Sequence, residues 1–490
     1  MAFPFFSREK IIGGGKPSGF YAGCYRDPET GERGPEIWLP WLDPVLIIGR
    51  NRVGKDTGII VPNALLGDGE ITQAFQDTRL EVGAIAAAWC RKRRRTWCAN
   101  AFGELVDVYP DLNSNHVNLL KARELDPDHP LAFEHLCELT EATIPKGENE
   151  HNPFFPLGAQ ALWTAGTRGE LKAAKAEGRD PSLLKVRMQM TEAEQLDQVT
   201  REPVTGVRAY ARRVIDEGSD PQSASMLGPF ATQQTDGLRD VVATLAAHTR
   251  WCLSPAIIED EKDPQIDFAS LGETPTTLFY GVPHQLVKPF APYLRLFTTA
   301  LLCPLFTPHK VPVRIFLNEF FAMGRVPAIE SAIGLVACCS IQLVIVVQSL
   351  VQLKQLYSDA WEAFLGQAGA VILVGSPGDD FTANYLAAHS GDTSLCQPNN
   401  ASLSINASGV GWGSGAGYGR RQYLMPQDLR NIRRGEGFIW IAGMNDPIPA
   451  MFPPYYDDPL RPELARRARQ SLLSRVIGHG CDRAQDIPPA

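Results

Sequence analysis

A short apolar run followed by a glycine-rich loop constrains the fold of this chain more than any other feature. The segment LIIGRNRVGKDTGIIVPNALL covers residues 46–66. It begins within the run VLIIG at 45–49, and a helical pattern follows the loop. A buried strand that leads through glycine into a helix is the opening of a β–α–β unit, and such units build parallel sheets. The segment therefore predicts an α/β fold.

Further strand-like runs support the same fold. ITQAFQDT at 71–78 is predicted as the second strand, and five more apolar runs follow residue 275: TTLFYGV, VRIFLNEF, IQLVIVVQS, AVILVG and GFIWIAG. Their alternation with helical stretches is typical of a parallel α/β sheet. Strand-like runs vanish between residues 126 and 250, which predicts an all-helical insertion. The glycine-dense segment at 408–421 is predicted as a flexible surface loop.

The loop has the pattern that binds nucleotide phosphates. Gly49, four residues and then Gly54-Lys55 stand between a predicted strand and a predicted helix. The backbone amides of such a loop and the following helix N-terminus attract anions, and Lys55 can reach the terminal phosphates. The pattern alone leaves a chance match as the alternative. The candidate nucleotide-binding residues are Gly49, Arg50, Asn51, Arg52, Val53, Gly54, Lys55, Asp56 and Thr57.

The segment VRIFLNEFFAMG at 313–324 supplies candidate catalytic residues. Nucleotide hydrolases place an acidic pair after an apolar strand, where one carboxylate holds Mg²⁺ and the next polarises the attacking water. Glu319 occupies the position of the base, and Asn318 occupies the metal-side position. Gln348 ends the run IQLVIVVQS and could sense the terminal phosphate or position water. The alternative for Gln348 is a polar residue that simply closes a strand.

Two departures from the usual pattern concern the metal. Asp56 stands where a small hydroxyl residue usually holds Mg²⁺, and Asn318 stands where an aspartate is expected. A carboxylate is gained at one position and lost at the other, so Asp56 and Asn318 are the predicted metal-side residues. Thr57 is a poor substitute, because one step along a helix rotates a side chain by about 100°. The alternative is a dead site in which Asp56 occupies the loop amides and repels phosphate.

Charge and cysteine content exclude other classes of protein. A formal net charge of −8 argues against a basic nucleic-acid coat. The basic run RKRRR is predicted as the solvated end of a helix at 81–95, with contact to DNA phosphates as the alternative.

Ten scattered cysteines without a CxxC pair favour a reduced cytosol over a disulfide framework or a zinc site. No apolar stretch approaches the roughly 18 residues of a spanning helix.

The motifs together resemble the type IV coupling proteins, which are hexameric P-loop ATPases of conjugation and type IV secretion. The segment at 45–66 resembles their phosphate loop, and IFLNEFFAMGRVPAIESAI resembles their acidic strand. VIVVQSLVQLKQLYSDAWEAFL resembles the strand and helix that follow. QDTRLE at 76–81 keeps Asp77 and Glu81 of a segment that usually reads Asp-Pro-Lys-Gly-Glu. The similar segments occur in the family's order between about residues 40 and 460.

The resemblance implies a RecA-like P-loop nucleotide-binding domain with a parallel sheet, an inserted all-α domain and a hexameric ring. It implies ATP and Mg²⁺ as cofactors, with Lys55, Glu319 and Gln348 as phosphate lysine, catalytic glutamate and sensor-like glutamine. The expected domains are a hairpin lead-in at 1–44, the nucleotide-binding domain at 45–125 and 251–460, an all-α insertion at 126–250, and a C-terminal helix and tail at 461–490.

The resemblance also implies partners. These are a type IV secretion channel or membrane subunit, and single-stranded DNA or a relaxase or effector protein as the substrate. The family's N-terminal membrane helices have no counterpart in this sequence, so we expect a cytoplasmic chain that either reaches the inner membrane through a partner or acts away from the envelope. Two alternatives stay open: a non-hydrolysing nucleotide-binding or docking protein of the same fold, and a DNA-binding adaptor that uses the basic run.

Overall fold

The computed structural model describes residues 11–12, 19–40, 43–67, 69–146, 153–200, 202–232, 236–398, 402–406, 409–413 and 416–457. The C-terminal helix and tail predicted at 461–490 lie outside these residues. The chain forms two compact units. Unit 1 consists of Met1–Pro40, Val45–Ile59 and Val346–Tyr455, and unit 2 consists of Trp41–Pro44, Ile60–Ile345 and Tyr456–Ala490.

The strands and helices follow the alternation expected of an α/β chain. The strands are β1 (Phe20–Arg26), β2 (Arg33–Leu39), β3 (Val45–Ile48), β4 (Thr72–Gln76), β5 (Arg95–Ala99), β6 (Thr276–Tyr280), β7 (Val313–Leu317), β8 (Ile341–Val347), β9 (Ala370–Val374), β10 (Asp392–Pro398), β11 (Ser402–Asn406), β12 (Gly409–Gly413), β13 (Ala416–Gln422), β14 (Glu436–Ile441) and β15 (Ile448–Met451). The α-helices are α1 (Val61–Leu66), α2 (Glu81–Cys90), α3 (Ala132–Thr143), α4 (Phe154–Glu177), α5 (Leu183–Met190), α6 (Gly206–Glu217), α7 (Pro221–Thr232), α8 (Asp236–His248), α9 (Pro255–Asp260), α10 (Ala291–Leu302), α11 (Pro327–Ala332), α12 (Leu350–Tyr357), α13 (Trp361–Gly366), α14 (Asp380–Ala388) and α15 (Pro426–Arg430). A π-helical turn at Asp56–Ile60 precedes α1.

Unit 1 contains a mixed sheet with the strand order β2-β1-β15-β14-β9-β3. β3 and β9 are parallel, whereas β14 is antiparallel to both β9 and β15. The predicted hairpin is present as the antiparallel pair β1–β2. The expectation that the run GFIWIAG joins a parallel sheet is wrong. An apolar run does not reveal strand direction, and the short connection from β14 to β15 forces those two strands to be antiparallel.

Unit 2 contains a parallel sheet with the strand order β8-β7-β4-β6-β5. All residues of β4, β6 and β7 are buried. The Phe75 ring stacks on the Phe316 ring with centroids 4.4 Å apart, and Phe279 lies on its other side at 5.4 Å. A strand covered on both faces can be apolar without alternation, as Ile315, Phe316 and Leu317 of β7 are. β4 differs, because it buries the polar side chains of Thr72, Gln73 and Gln76.

The basic run at 91–95 connects a helix to a strand. Helix α2 ends before it, residues 91–94 form a turn, and Arg95 begins β5. Arg94 donates to Gln73 Oε1 at 2.6 Å, and Arg95 donates to Thr276 Oγ1 at 2.8 Å. The prediction of a solvated helix end fits residues 91–93, which are exposed directly after α2, and is wrong for Arg94 and Arg95, whose guanidinium groups contact polar side chains of the sheet.

Two predicted segments have different outcomes. Among the described residues of 126–250, the regular elements are helices α3–α8 and one isolated bridge between Leu196 and Pro203. This region belongs to unit 2, and the predicted bounds of a separate insertion domain stay a prediction.

The glycine-dense segment contains β12 and β13, which pair antiparallel with β11 and β10. The loop prediction is wrong there, since strands pair through backbone groups that glycine also carries.

Candidate functional site

The loop at 49–57 is shaped by backbone contacts within unit 1. Gly49 N donates to Val347 O at 3.0 Å, and Gly435 N donates to Val53 O at 3.1 Å. A Cβ atom on Gly49 would lie 2.8 Å from Val374 O, which leaves no room for a side chain. The loop is thus fixed at its start by β8 and β9, and at its middle by the turn before β14.

Two residues of the loop have a positive φ. Gly54 has φ +107°, where other residues are strained, and Arg52 has φ 64°. The side chains of Arg50, Asn51, Arg52 and Asp56 are exposed. The loop therefore presents the guanidinium groups of Arg50 and Arg52 to solvent, which suits the binding of an anion, whereas the Asp56 carboxylate opposes it.

The Lys55 ammonium group is folded back onto this loop. Its Nζ donates to Gly49 O at 2.6 Å and to Arg50 O at 2.9 Å, and the residue is 8% exposed. A carbonyl oxygen carries only a partial charge. A phosphate in the loop would offer the ammonium group stronger, charge-assisted hydrogen bonds. In this position, the Lys55 ammonium group could exchange its contacts with the Gly49 and Arg50 carbonyls for contacts with a phosphate in the loop.

Asp56 and Thr57 begin the π-helical turn after the loop. The Asp56 side chain is exposed, and the Thr57 hydroxyl lies 3.4 Å from Gly54 O, which is a long hydrogen bond. The Thr57 hydroxyl is thus directed to the loop backbone. The metal-side roles predicted for Asp56 and Asn318 stay predictions.

Gln348 follows β8 in unit 1. Its backbone N–H donates to Gln352 Oε1 at 2.8 Å, and its side chain is half-buried. The preceding residue, Val347, accepts the hydrogen bond from Gly49 N. Unit 1 therefore brings the predicted sensor and the first glycine of the loop to neighbouring backbone positions.

Asn318 and Glu319 follow β7 in unit 2 and are both held by Gln76. Asn318 N donates to Gln76 O at 3.3 Å, and Glu319 N donates to Gln76 Oε1 at 2.9 Å. Gln76 is fully buried at the end of β4. Its Nε2 has no hydrogen-bond partner among the described residues. Sequence reasoning missed Gln76, although a glutamine inside the apolar run ITQAFQ was a visible signal.

Asp77 fixes the next turn. Its Oδ2 accepts from Val82 N at 2.8 Å, and its Oδ1 accepts from Arg79 N at 3.1 Å. Leu80 adopts a left-handed φ of 49° immediately before α2. A Cβ atom on Gly281 would lie 1.9 Å from Asp77 O. Asp77 therefore builds the turn after β4 and satisfies amides at the start of α2.

A buried arginine that the sequence did not single out joins three segments of unit 2. Arg295, on α10, is 6% exposed. Its Nη1 donates to Met323 O at 2.7 Å, and its Nε donates to Ala142 O at 2.7 Å. Met323 lies four residues after Glu319, and Ala142 lies near the end of α3. A charged residue within an apolar helix was the available signal.

The comparisons with known proteins place the chain in a family. The family of type IV secretory system conjugative DNA transfer matches residues 5–478. The chain belongs to this family, as the resemblance predicted. The conjugal transfer protein TraG of Rhizobium radiobacter is 20% identical over 309 residues, which are 62% of this chain and 46% of TraG. The chain thus spans about half the length of this relative.

Solved structures confirm the predicted fold. The unbound bacterial conjugative coupling protein TrwBΔN70 has a TM-score of 0.62 at 13% identity, covering 85% of this chain and 86% of that chain. TrwB with the ATP analogue ADPNP has a TM-score of 0.62 at 13% identity, covering 90% and 97%. TrwB with ADP and Mg²⁺ has a TM-score of 0.58 at 14% identity, covering 90% and 96%. The fold is accordingly the RecA-like α/β fold of these proteins.

None of the helices in the described part of the chain has both the length and the apolar composition needed to cross a membrane.

Proposed function

We propose that this chain is a P-loop ATPase of conjugative DNA transfer, which recruits and drives substrates to a type IV secretion channel. The observation that carries the proposal is the Lys55 ammonium group, buried on two carbonyls of a glycine loop whose backbone leaves no room for a side chain at Gly49. This arrangement suits the phosphates of a nucleotide. Membership in the conjugative DNA transfer family supports the biological process.

ATP with Mg²⁺ is the proposed cofactor pair. Residues 49–57 would hold the phosphates through backbone amides and Lys55. Asp56 and Asn318 are the proposed metal-side residues, with the Asp56 carboxylate in place of the usual hydroxyl. Oxygen ligands are those that Mg²⁺ prefers. The solved complexes of TrwB with ADP and Mg²⁺ and with ADPNP support this choice.

Glu319 is the proposed general base. A carboxylate after an apolar strand can orient and polarise the water that attacks the terminal phosphate, which contributes about 10²- to 10⁴-fold to the rate. Gln76 holds the Glu319 backbone through its Oε1. Gln348 is the proposed sensor of the terminal phosphate, supported by its place beside Val347 and Gly49.

The proposed partners are single-stranded DNA or a relaxase or effector protein, together with the secretion channel or a membrane subunit. We also propose a homo-hexamer at the cytoplasmic face of the inner membrane. A type IV secretion role requires a substrate and a channel, and P-loop motors of this fold act on a chain threaded through a ring. The family match supports the DNA transfer role.

A second candidate is a nucleotide-binding or docking protein of the same fold that does not hydrolyse ATP. Asn318 favours it, because an amide in place of the metal-side carboxylate removes a negative charge. The exposed Asp56 at the start of a helical turn favours it too, since a carboxylate there can compete with phosphate for the amides.

Turnover measurements on the purified chain distinguish the two candidates. ATP hydrolysis would be measured with and without single-stranded DNA for the wild type, Lys55→Ala and Glu319→Gln. Lys288→Ala is the matched control, because Lys288 is an exposed lysine outside both the proposed nucleotide site and the basic run. We expect Mg²⁺-dependent turnover that both site variants lose and the control keeps. Nucleotide binding without turnover in the wild type would favour the second candidate. Absence of nucleotide binding would overturn the first candidate and leave only the docking form of the second.

A further inference from the structure

Three side chains that commonly bind metals meet in unit 2, outside the proposed nucleotide site. His135 and Glu138 lie one turn apart on α3, and Cys303 directly follows α10. Glu138 Oε2 is 3.9 Å from His135 Nδ1 and 3.5 Å from Cys303 Sγ. One ligand atom from each residue lies within 4.8 Å of both others.

These distances suit one tetrahedral ion. Zinc binds nitrogen and carboxylate oxygen at about 2.0–2.2 Å and thiolate sulfur at about 2.3 Å, so neighbouring ligand atoms in a tetrahedral shell lie roughly 3.3–3.8 Å apart. The two measured separations at Glu138 Oε2 are close to that range. A mixed set of imidazole, thiolate and carboxylate favours Zn²⁺ over Mg²⁺, which takes oxygen ligands.

The surroundings of the cluster are acidic. His135 Nδ1 is buried and has no hydrogen-bond partner among the described residues. Cys303 is 5% exposed, and Glu124 is 6% exposed with an Oε2 that also lacks a partner in the described part of the chain. The Glu124 and Glu138 carboxylates both act electrostatically on the Cys303 thiol. A cation bound between these side chains would be attracted by both carboxylates.

We propose that His135, Glu138 and Cys303 bind one Zn²⁺ ion, with water as the fourth ligand. The Glu138 side chain is 60% exposed, which leaves room for that water on the solvent side. The thiol releases its proton to solvent when the ion binds. The ion would fasten α3 to the end of α10, and Arg295 on α10 already hydrogen-bonds to α3 through Ala142.

Metal titration of the full-length purified chain tests the proposal. The chain would be stripped with a chelator and titrated with Zn²⁺, and separately with Co²⁺, in excess Mg²⁺ to saturate sites for hard ions. We expect one equivalent of Zn²⁺ to bind and the Co²⁺ form to show a thiolate-to-metal charge-transfer band. Cys303→Ser and His135→Gln should lose the band and weaken binding by more than about 100-fold.

Two controls keep the result interpretable. Cys338→Ser removes an exposed cysteine outside the cluster and should leave stoichiometry and band unchanged. Unfolding curves in chelator show whether each variant folds without metal. A wild type without Zn²⁺ binding would overturn the proposal, as would binding that persists in folded Cys303→Ser. The result would then mean an ordinary His–Glu contact beside a buried cysteine.

Discussion

The loop at 49–57 in unit 1 and the strand ends at 76–77 and 318–319 in unit 2 are built in opposite ways. The loop is held by backbone groups, with its charged side chains apart from Lys55 exposed. The strand ends are held by buried polar side chains, above all Gln76 and Asp77. A site held by backbone groups can be recognised from a short stretch of sequence, because it needs glycine at fixed positions. A site held by buried polar side chains depends on pairings between distant residues.

The largest effect is expected from crowding the strand ends. Gly281→Ala would place a Cβ atom 1.9 Å from Asp77 O, so the backbone of one segment must move. We expect a loss of about 3 kcal/mol or more in the free energy of unfolding, measured by urea denaturation. Gly366→Ala is the control. No atom lies within 4 Å of its added Cβ, and at the end of helix α13 the free energy of unfolding should stay within about 0.5 kcal/mol of the wild type. Equal free energies of unfolding for the two variants would contradict the expected steric overlap between Gly281 and Asp77.

The reliance of unit 2 on buried polar groups also predicts a pH dependence. Burial raises the pKa of Glu261 to about 7, although Ser182 and Leu183 donate hydrogen bonds to it. The folded chain thus holds this proton more tightly than the unfolded chain does. The contribution of protonated Glu261 to the free energy of unfolding is full below about pH 4.5 and is lost as the pH rises through about 7.

At about 1.4 kcal/mol per pKa unit, the change is of the order of 3 kcal/mol. Urea denaturation at about pH 5 and about pH 8 would measure it. Glu261→Gln should gain stability at the higher pH and flatten this part of the profile. A variant with the wild-type pH dependence would show that another group is responsible.

A smaller effect is expected from the glutamine that holds Glu319. Gln76→Leu removes the acceptor of the Glu319 amide hydrogen bond, which frees the proposed base to shift. We expect turnover to fall by about 10- to 100-fold with nucleotide affinity nearly unchanged, because small misplacements of catalytic groups are costly. Gln73→Leu, in the same strand, should change stability but leave the turnover number intact. Equal losses of turnover in both variants would indicate general damage to β4.

The smallest effect is expected in the loop. The Thr57 hydroxyl makes one long hydrogen bond to Gly54 O, so Thr57→Val should change Mg²⁺-nucleotide affinity by less than about 3-fold. Asp56→Ala should weaken the same affinity by about 10-fold or more if Asp56 is the metal-side carboxylate. Calorimetric titration with Mg²⁺ and a non-hydrolysable ATP analogue measures both. The reverse order would assign the metal to Thr57.

The loop and the core strands could be predicted from sequence because their causes are local. Gly49 and Gly54 are needed for backbone shape, and β7 carries the apolar run Ile315, Phe316 and Leu317 because both of its faces are covered. The direction of β14 could not be predicted, because an apolar run reads the same in either direction. Glycine-dense β12 and β13 carried no side-chain pattern typical of strands.

The polar contacts around the predicted site residues could not be predicted from neighbouring residues in the sequence. Gln76 meets Glu319, which is 243 residues away in sequence. Arg94 contacts Thr277 and Gln73, so the end of a basic run that was predicted to be solvated lies along the sheet. Composition shows that such groups are polar, but their partners are set by the packing of distant strands.

Arg295 has a mechanical consequence for the segment after Glu319. A guanidinium group is permanently charged, so a change of pH does not release the carbonyl partners of Arg295. Each such bond stabilises by about 1.5–3 kcal/mol. A displacement of the end of α3 therefore either pulls Met323 with it or breaks one of these bonds. Strain that arises in the helical region can reach the neighbourhood of Glu319 through a single side chain.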